Sequence, residues 1–340
     1  MVNDLVNRYL HEAAKKEDYE LATRFLGLHP TNGMDVNARD GYGMTALMWA
    51  AGRGSQEIVL LLLQHGADME ARNELLSVRS IEKLATGKSD YWELIDRMGT
   101  LEANKHHGWT ALMWAARNGQ TEVANFLLDS GANINAITQD SFTALVHAID
   151  NKHVETALLL LERGANPDLV EDGCSPALST AAGNGFLDLV QAILDHGGKI
   201  SALDNYGHTA LINAVLRNKP NVLRLLLNHG FDPNIVQTGF LPPLHLTLED
   251  DALRCAGILL DHGADINAKD EVDGETALQS ALDEMRSPRV ARLLIERGAD
   301  IWGALGRVEY FRGSAEGDEM AEADEIIELI KKRAADDAGS

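Results

Sequence analysis

The sequence predicts an all-α solenoid of helix-turn-helix units with hairpin tips. Three observations carry this expectation. A string built around one glycine recurs along the chain as LLLQHGADMEAR, FLLDSGANINAI, LLLERGANPDLV, AILDHGGKISAL, LLLNHGFDPNIV, ILLDHGADINAK and LLIERGADIWGA. Its glycines, Gly66, Gly131, Gly164, Gly197, Gly230, Gly263 and Gly298, stand 65, 33, 33, 33, 33 and 35 residues apart. A second landmark lies upstream of each, marked by Leu47, Leu112, Leu145, Leu178, Leu211, Leu244 and Leu278 at nearly the same spacing. Composition agrees, because 30 glycines against 8 prolines and 5% aromatics suit short helices joined by glycine-marked turns. A period of this length marks stacked supersecondary units, none of which buries its apolar face alone.

Taken in order, residues 1–40 read as an N-terminal capping repeat. GMDVNARD at 33–40 copies the hairpin that follows a repeat, and Ala13, Ala14, Leu21, Ala22, Phe25 and Leu26 supply a helix pair before it. Residues 41–304 divide into units 41–73, 74–104, 105–137, 138–170, 171–203, 204–236, 237–269 and 270–304. In each signature-bearing unit a Thr or Pro opens the first helix, as a capping hydroxyl or a preset backbone angle. Small pairs such as Ala50-Ala51 and Ala115-Ala116 let first helices approach closely. Leu61, Leu62 and Leu63 face the neighbouring unit, and a glycine such as Gly66 ends the pair in a left-handed conformation. The 65-residue interval is one less than twice 33, so 74–104 reads as a decayed repeat. Its second helix would be YWELIDRMG, burying Trp92, Leu94 and Ile95 between neighbours. Residues 305–340 read as C-terminal capping helices and an acidic tail, with Ile326, Ile327 and Ile330 on one face of a helix from Glu322 to Lys332. Charged outer faces suit terminal units, which have no further neighbour to cover them.

The landmarks MTALMWAAGRG, WTALMWAARNG, FTALVHAIDNK and LPPLHLTLEDD resemble the signature T-P-L-H-x-A of the ankyrin repeat. Most units carry Ala for Pro and Met, Val, Ile or Gln for His, and Pro243-Leu244-His245 keeps that part of the pattern. The resemblance implies about eight repeats, one decayed, between terminal caps. It further implies a non-catalytic protein-binding scaffold, with partners on the hairpin tips and the exposed side of the first helices, which form a concave face. Carried over unit by unit, the tips supply Tyr42, Met44, His107, Trp109, Phe142, Tyr206, His208, Asp273 and Glu275. The first helices supply Arg53, Arg117, Asn118, Asp150, Asn151, Arg217, Glu249, Asp250, Asp283 and Glu284. Aromatics dominate up to the sixth unit and carboxylates crowd the last two. Aromatics carry interface energy and clustered carboxylates steer a basic partner, so the expected partner is a protein with a basic patch. One alternative is an inhibitor or immunity-like protein blocking a basic toxin or enzyme. The other class is an enzyme with a small site carried on the repeats.

Charge and motifs narrow this further. A formal charge of −22 opposes nucleic-acid and anionic-membrane partners. Cys174 and Cys255 cannot form a disulfide framework or a zinc cluster, which suits a reducing compartment; the chain is expected to be cytoplasmic and monomeric on its own. The first twenty residues lack a basic start followed by an apolar core, so no secretory signal is expected. His11-Glu12 begins like HExxH, but Lys15 stands where the second histidine belongs. In KDEVDGE at 269–275, Lys269 takes the first calcium-ligand position and Val272 interrupts the carboxylates. No catalytic residue, metal or cofactor is expected. His65, His196, His229 and His262 each precede a closing glycine, which assigns them to helix ends. Trp49 and Trp114 share one repeat position and are expected to fill the core between repeats.

Overall fold

The computed structural model describes residues 2–27, 35–73, 108–138, 142–169, 176–236, 241–249 and 252–339. Among them the regular structure is helical, with one isolated bridge between Lys269 and Thr276. They form two compact units, the first being Met1–Ala177 with Ala192–Gly198, and the second Leu178–Gln191 with Lys199–Ser340. The first holds the helix pairs α1 (Val2–Lys16) and α2 (Tyr19–Gly27), α3 (Ala46–Arg53) and α4 (Gln56–Gln64), α5 (Ala111–Arg117) and α6 (Thr121–Asp129), and α7 (Ala144–Asp150) and α8 (Val154–Glu162). Helices α9 (Ala177–Asn184) and α10 (Leu187–Asp195) are divided between the two. The second holds α11 (Ala210–Leu216) and α12 (Pro220–Asn228), α13 (Pro243–Leu246) and α14 (Leu253–Asp261), α15 (Ala277–Leu282) and α16 (Pro288–Glu296), and α17 (Ala304–Arg312) and α18 (Asp318–Gly339).

Local chemistry explains these boundaries. The hydroxyls of Thr45, Thr110, Thr143, Thr209 and Thr276 accept the N–H three residues on at 3.2–3.4 Å, closing the start of five first helices. At the other end, His65, His196, His229 and His262 each place Nδ1 2.8–2.9 Å from the carbonyl four residues back. That is the helix-end role expected of them. Gly66 follows with φ +84°, which a side chain would resist. Helix α13 is only four residues long although it keeps the Pro-Leu-His signature. Thr247 Oγ1 donates to the Leu244 carbonyl at 2.6 Å, the back-bonding that competes with a regular helix.

Packing follows the repeat. In the first unit α1, α3, α5 and α7 pack in succession, as do α2, α4, α6 and α8. The second unit repeats the pattern with α11, α13, α15 and α17 and with α12, α14, α16 and α18. Alanines and leucines fill these contacts, Ala50, Ala51, Ala115 and Ala116 being fully buried. At the chain's end Ile326, Ile327 and Ile330 are buried as expected, but their helix runs from Asp318 to Gly339.

The direct contacts of α3 with α5 and α4 with α6 overturn the decayed repeat at 74–104. A Cβ on Gly54 would strike Gln120, just as one on Gly119 would strike His153 in the next repeat, so the two pairs are immediate neighbours. Glu70 accepts the Asn133 N–H at 2.8 Å, as Asn135 accepts that of Asn166 one repeat later. The hairpin locates the extra chain. Asp40 N–H bonds to the Met44 carbonyl, Gly43 N–H to the Asp40 carbonyl and Met44 N–H to the Asp40 carboxylate. Asn73, Gly108 and Trp109 make the same three bonds. Thirty-five residues separate Asn73 from Trp109 where three separate Asp40 from Met44, a surplus of 32 that accounts for the 65-residue interval. The chain therefore leaves and re-enters the stack at one hairpin tip, between Asn73 and Gly108, and residues 74–107 themselves lie outside the described residues. Trp92, Leu94 and Ile95 lie outside the described residues.

Candidate protein-binding face

Among the described residues three tips are organised by an aspartate shortly before the capping threonine, five residues before it for Asp40 and Asp204 and six for Asp270. Asp40 Oδ1 accepts the N–H groups of Tyr42 and Met44 at 2.9 and 3.1 Å, while Oδ2 accepts the Trp49 indole N–H at 2.8 Å. Asp204 repeats this with the N–H groups of Tyr206 and His208 and with Asn213 Nδ2 at 2.7 Å. Asp270 accepts from Val272 and Asp273. Burial pushes the Asp270 carboxyl up, but the N–H groups of Asp273, Val272, Gly274 and Glu275 outweigh it, so its pKa falls below the ordinary 3.8.

Neighbouring His245 donates Nε2–H to the Glu275 carbonyl at 3.1 Å. Burial lowers its pKa from 6.5, against the opposing pull of that bond and of the Asp270 and Glu275 charges. Both shifts have the same consequence. A group whose folded pKa is depressed contributes stability that is lost as pH falls through the folded value. The second unit should therefore lose stability in two steps on acidification, below 6.5 through His245 and below 3.8 through Asp270. Thermal melts followed by circular dichroism would check this, and His245→Gln should flatten the first step alone.

The tips present their side chains unequally. Tyr206 is 71% exposed, whereas Tyr42, Phe142 and His208 are half-buried. Met44 and Trp109 are 4% and 2% exposed, which corrects their assignment as open contact residues. The position just before the capping threonine turns under the tip, so an apolar residue there joins the core. Trp109 lies 4.8 Å from Trp114 and 3.9 Å from His147 between ring centroids, with Arg117 5.2 Å over its face. Trp49 is half-buried and bound to Asp40, so it serves the tip and not the core between repeats. His107 and Asp250 lie outside the described residues.

At the first-helix ends Arg53, Asn118, Asp150, Arg217, Glu249 and Glu284 are exposed, as is Asp273 at its tip. Arg117, Asn151, Glu275 and Asp283 are half-buried. The amides of Asn118 and Asn151 donate back to the Trp114 and His147 carbonyls at 2.9 Å. The protein packed around α7 desolvates the exposed Asp150 carboxyl enough to raise its pKa. Glu284 and Met285 both hold positive φ, +50° and +51°, in the tight turn after α15. Three carboxylates of the expected acidic face are compensated from within. Arg286 pairs with Glu249, and Arg307 bridges Glu275, at 2.6 Å, and Asp283. An open groove lined by Arg292, Glu296, Asp324, Glu325, Glu328 and Leu329 is treated likewise, with Arg312 on Asp324 and Arg292 on Glu325.

The sequence reading missed the tip carboxylates, although Asp-x-x-Gly-x-Thr recurs at Asp40 and Asp204. It also missed Leu10-His11-Glu12-Ala13-Ala14, a second partial copy of the signature. There His11 Nε2 lies 3.0 and 3.1 Å from the Ala38 and Met44 carbonyls and fastens the first hairpin.

Repeats this regular invite comparison with known families. A family model described as ankyrin repeats in three copies matches residues 4–74, 86–171 and 169–237, and a single ankyrin repeat matches 241–271. The chain belongs to the ankyrin-repeat family. The ankyrin repeat domain of human ASB11 superposes with a TM-score of 0.57 at 20% identity, covering 76% of this chain and 99% of that one, a likeness of fold. The ankyrin repeat domain of Bcl-3 gives 0.57 at 26% identity, over 74% and 97%. Bovine mitochondrial disaggregase is 32% identical over 133 residues, 36% of this ankyrin chain and 18% of that protein. The chain spans 10–31% of the length of the curated relatives it matches. Ankyrin repeat domains generally mediate protein–protein interaction. Among the described residues no group of three or more His, Cys, Asp or Glu could hold a metal ion, and no helix is long and apolar enough to cross a membrane.

Proposed function

We propose that this ankyrin protein is a non-catalytic scaffold that holds a protein partner on its tips and first-helix ends. One observation carries the reading. The tip backbones are fixed by Asp40, Asp204 and Asp270, while exposed side chains such as Tyr206 and Asp273 project from them into solvent. A fixed backbone bearing exposed side chains lowers the ordering cost of binding. The charge of −22 and the exposed Asp273 and Glu284 support a partner with a basic patch. Glu249, Glu275 and Asp283 support it less, because the protein's own arginines already hold them. That compensation also removes the main support for an inhibitor that plugs a basic active site. Exposed pairs of this kind contribute only about 0–1 kcal/mol to stability.

Affinity capture from the native host, followed by mass spectrometry, tests the scaffold. A stoichiometric protein partner is the expected result; turnover in a substrate screen with no partner would replace it with an enzyme. With the partner in hand, Tyr206→Ala should speed dissociation, at a cost of about 2 kcal/mol if the ring is an anchor. Its melting temperature should stay put, since the ring is 71% exposed. Association should slow as salt rises if the partner is basic.

A further inference from the structure

In the first unit, Asp40, Tyr42 and Trp49 form three sides of a small cup, and Lys15 from α1 fills it. The Tyr42 and Trp49 rings stand 77° apart with centroids separated by 6.1 Å. Lys15 Nζ lies 4.7 Å from the Trp49 centroid, 5.1 Å from that of Tyr42 and 3.0 Å from Asp40 Oδ2. Two aromatic faces and a carboxylate around one ammonium are the elements by which proteins recognise alkylammonium groups.

Three features make this cup more than a tie between α1 and the first tip. Its walls are placed without the lysine, because the Asp40 carboxylate is held by the Tyr42 and Met44 N–H groups and by the Trp49 indole. Lys15 has a second acceptor one turn back, Glu12 at 3.8 Å, to which it can swing. The cup also reaches solvent, since the Lys15 side chain is 20% exposed and both rings are half-buried. Arg117 over Trp109 offers no such opening, because Trp109 is 2% exposed.

We infer that Asp40, Tyr42 and Trp49 form a recognition cup for a lysine ammonium of the protein partner, which Lys15 occupies in the free chain as an internal competitor. The choice of occupant rests on the scaffold reading; the cup can be tested without any partner. A primary ammonium suits it, because the contact with Asp40 uses an N–H that a trimethylated lysine lacks. Occupation by Lys15 weakens the apparent affinity for any outside lysine by the fraction of time that the cup is filled.

The test uses the full chain, its Lys15→Ala and Lys15→Gln variants, and a capped Ser-Gly-Lys-Gly-Ser peptide with its acetyl-lysine counterpart. Binding is read from the Trp49 indole N–H resonance, assigned with Trp49→Phe. Both variants should bind the lysine peptide roughly tenfold more tightly than the parent. The acetylated peptide, its charge removed, should leave the resonance unmoved. Equal affinity across the three proteins, or equal response to both peptides, overturns the inference. So does loss of helix α1 in both variants, which would make Lys15 a structural tie. A native partner captured through other tips, with no lysine binding at the cup, sinks this inference and spares the scaffold. Lysine binding at the cup with no protein partner recovered does the reverse.

Discussion

Deleting residues 74–105 should leave a folded chain that melts at a higher temperature than its parent. The deletion keeps His106, His107 and Gly108 between Asn73 and Trp109, three residues as in the tip from Asp40 to Met44. The bonds that close the tip join Asn73 to Gly108 and Trp109, so all of them survive. The contacts of α3 with α5 and α4 with α6 also survive, since no deleted residue contributes to either helix pair. Loop closure costs about 0.6 kcal/mol per doubling of length, so shortening 35 residues to three returns up to about 2 kcal/mol. For a chain of this size that corresponds to a rise of roughly 4–8 °C at most. Thermal unfolding followed by circular dichroism would measure it. A variant that aggregates, or melts well below its parent, would mean that 74–104 does stack between its neighbours after all. A repeat cut from the middle of a solenoid can leave a working interface; a repeat whose neighbours already touch has none to lose.

The outcome at this tip shows what a repeat sequence displays and what it hides. Features set by neighbours in sequence were legible. The threonine caps, the closing glycines and the helix-end histidines all depend on groups three or four residues away, and each stood at its expected place. The extra chain was misread because 65 residues fit two periods within one, and periodicity alone cannot separate a repeat from a loop of similar length. The decisive signal is pairing across the gap, where Asn73 takes the role of Asp40.

The candidate face was legible in phase but not in chemistry. Counting from the threonines put Tyr206, Asp273 and Arg217 on exposed positions correctly. It could not show that Arg307, 32 residues after Glu275 and 24 after Asp283, returns to cover both carboxylates. Such pairs arise from stacking register, which composition does not express. Nor could it separate Trp49 from Trp114, identical in phase. Only Trp49 has an aspartate nine residues earlier to receive its indole N–H; Trp114 lies against the buried Trp109.

Trp109→Ala should act on folding and not on partner release. The ring is 2% exposed and lies against Trp114, His147 and Arg117, so truncation leaves a cavity that these groups can refill only in part. Losing a buried aromatic of this size costs about 3–5 kcal/mol. The same residue anchors the tip where the chain leaves and re-enters the stack. Its N–H donates to Asn73 Oδ1 at 2.7 Å and its carbonyl accepts from Asn73 N–H at 3.2 Å. Alanine keeps these backbone groups, so the loss should come from packing, and Trp109→Phe should recover a large part of it. Urea unfolding provides the check, with the midpoint falling for alanine and less for phenylalanine. A slope unchanged in both would keep the comparison to stability alone. Tyr206→Ala, removing a comparable ring from an exposed tip, should shift the midpoint by no more than about 0.5 kcal/mol in equivalent stability. If Trp109→Ala unfolds with its parent and only partner dissociation changes, then Trp109 is an interface anchor and its burial in the free chain is not its working state.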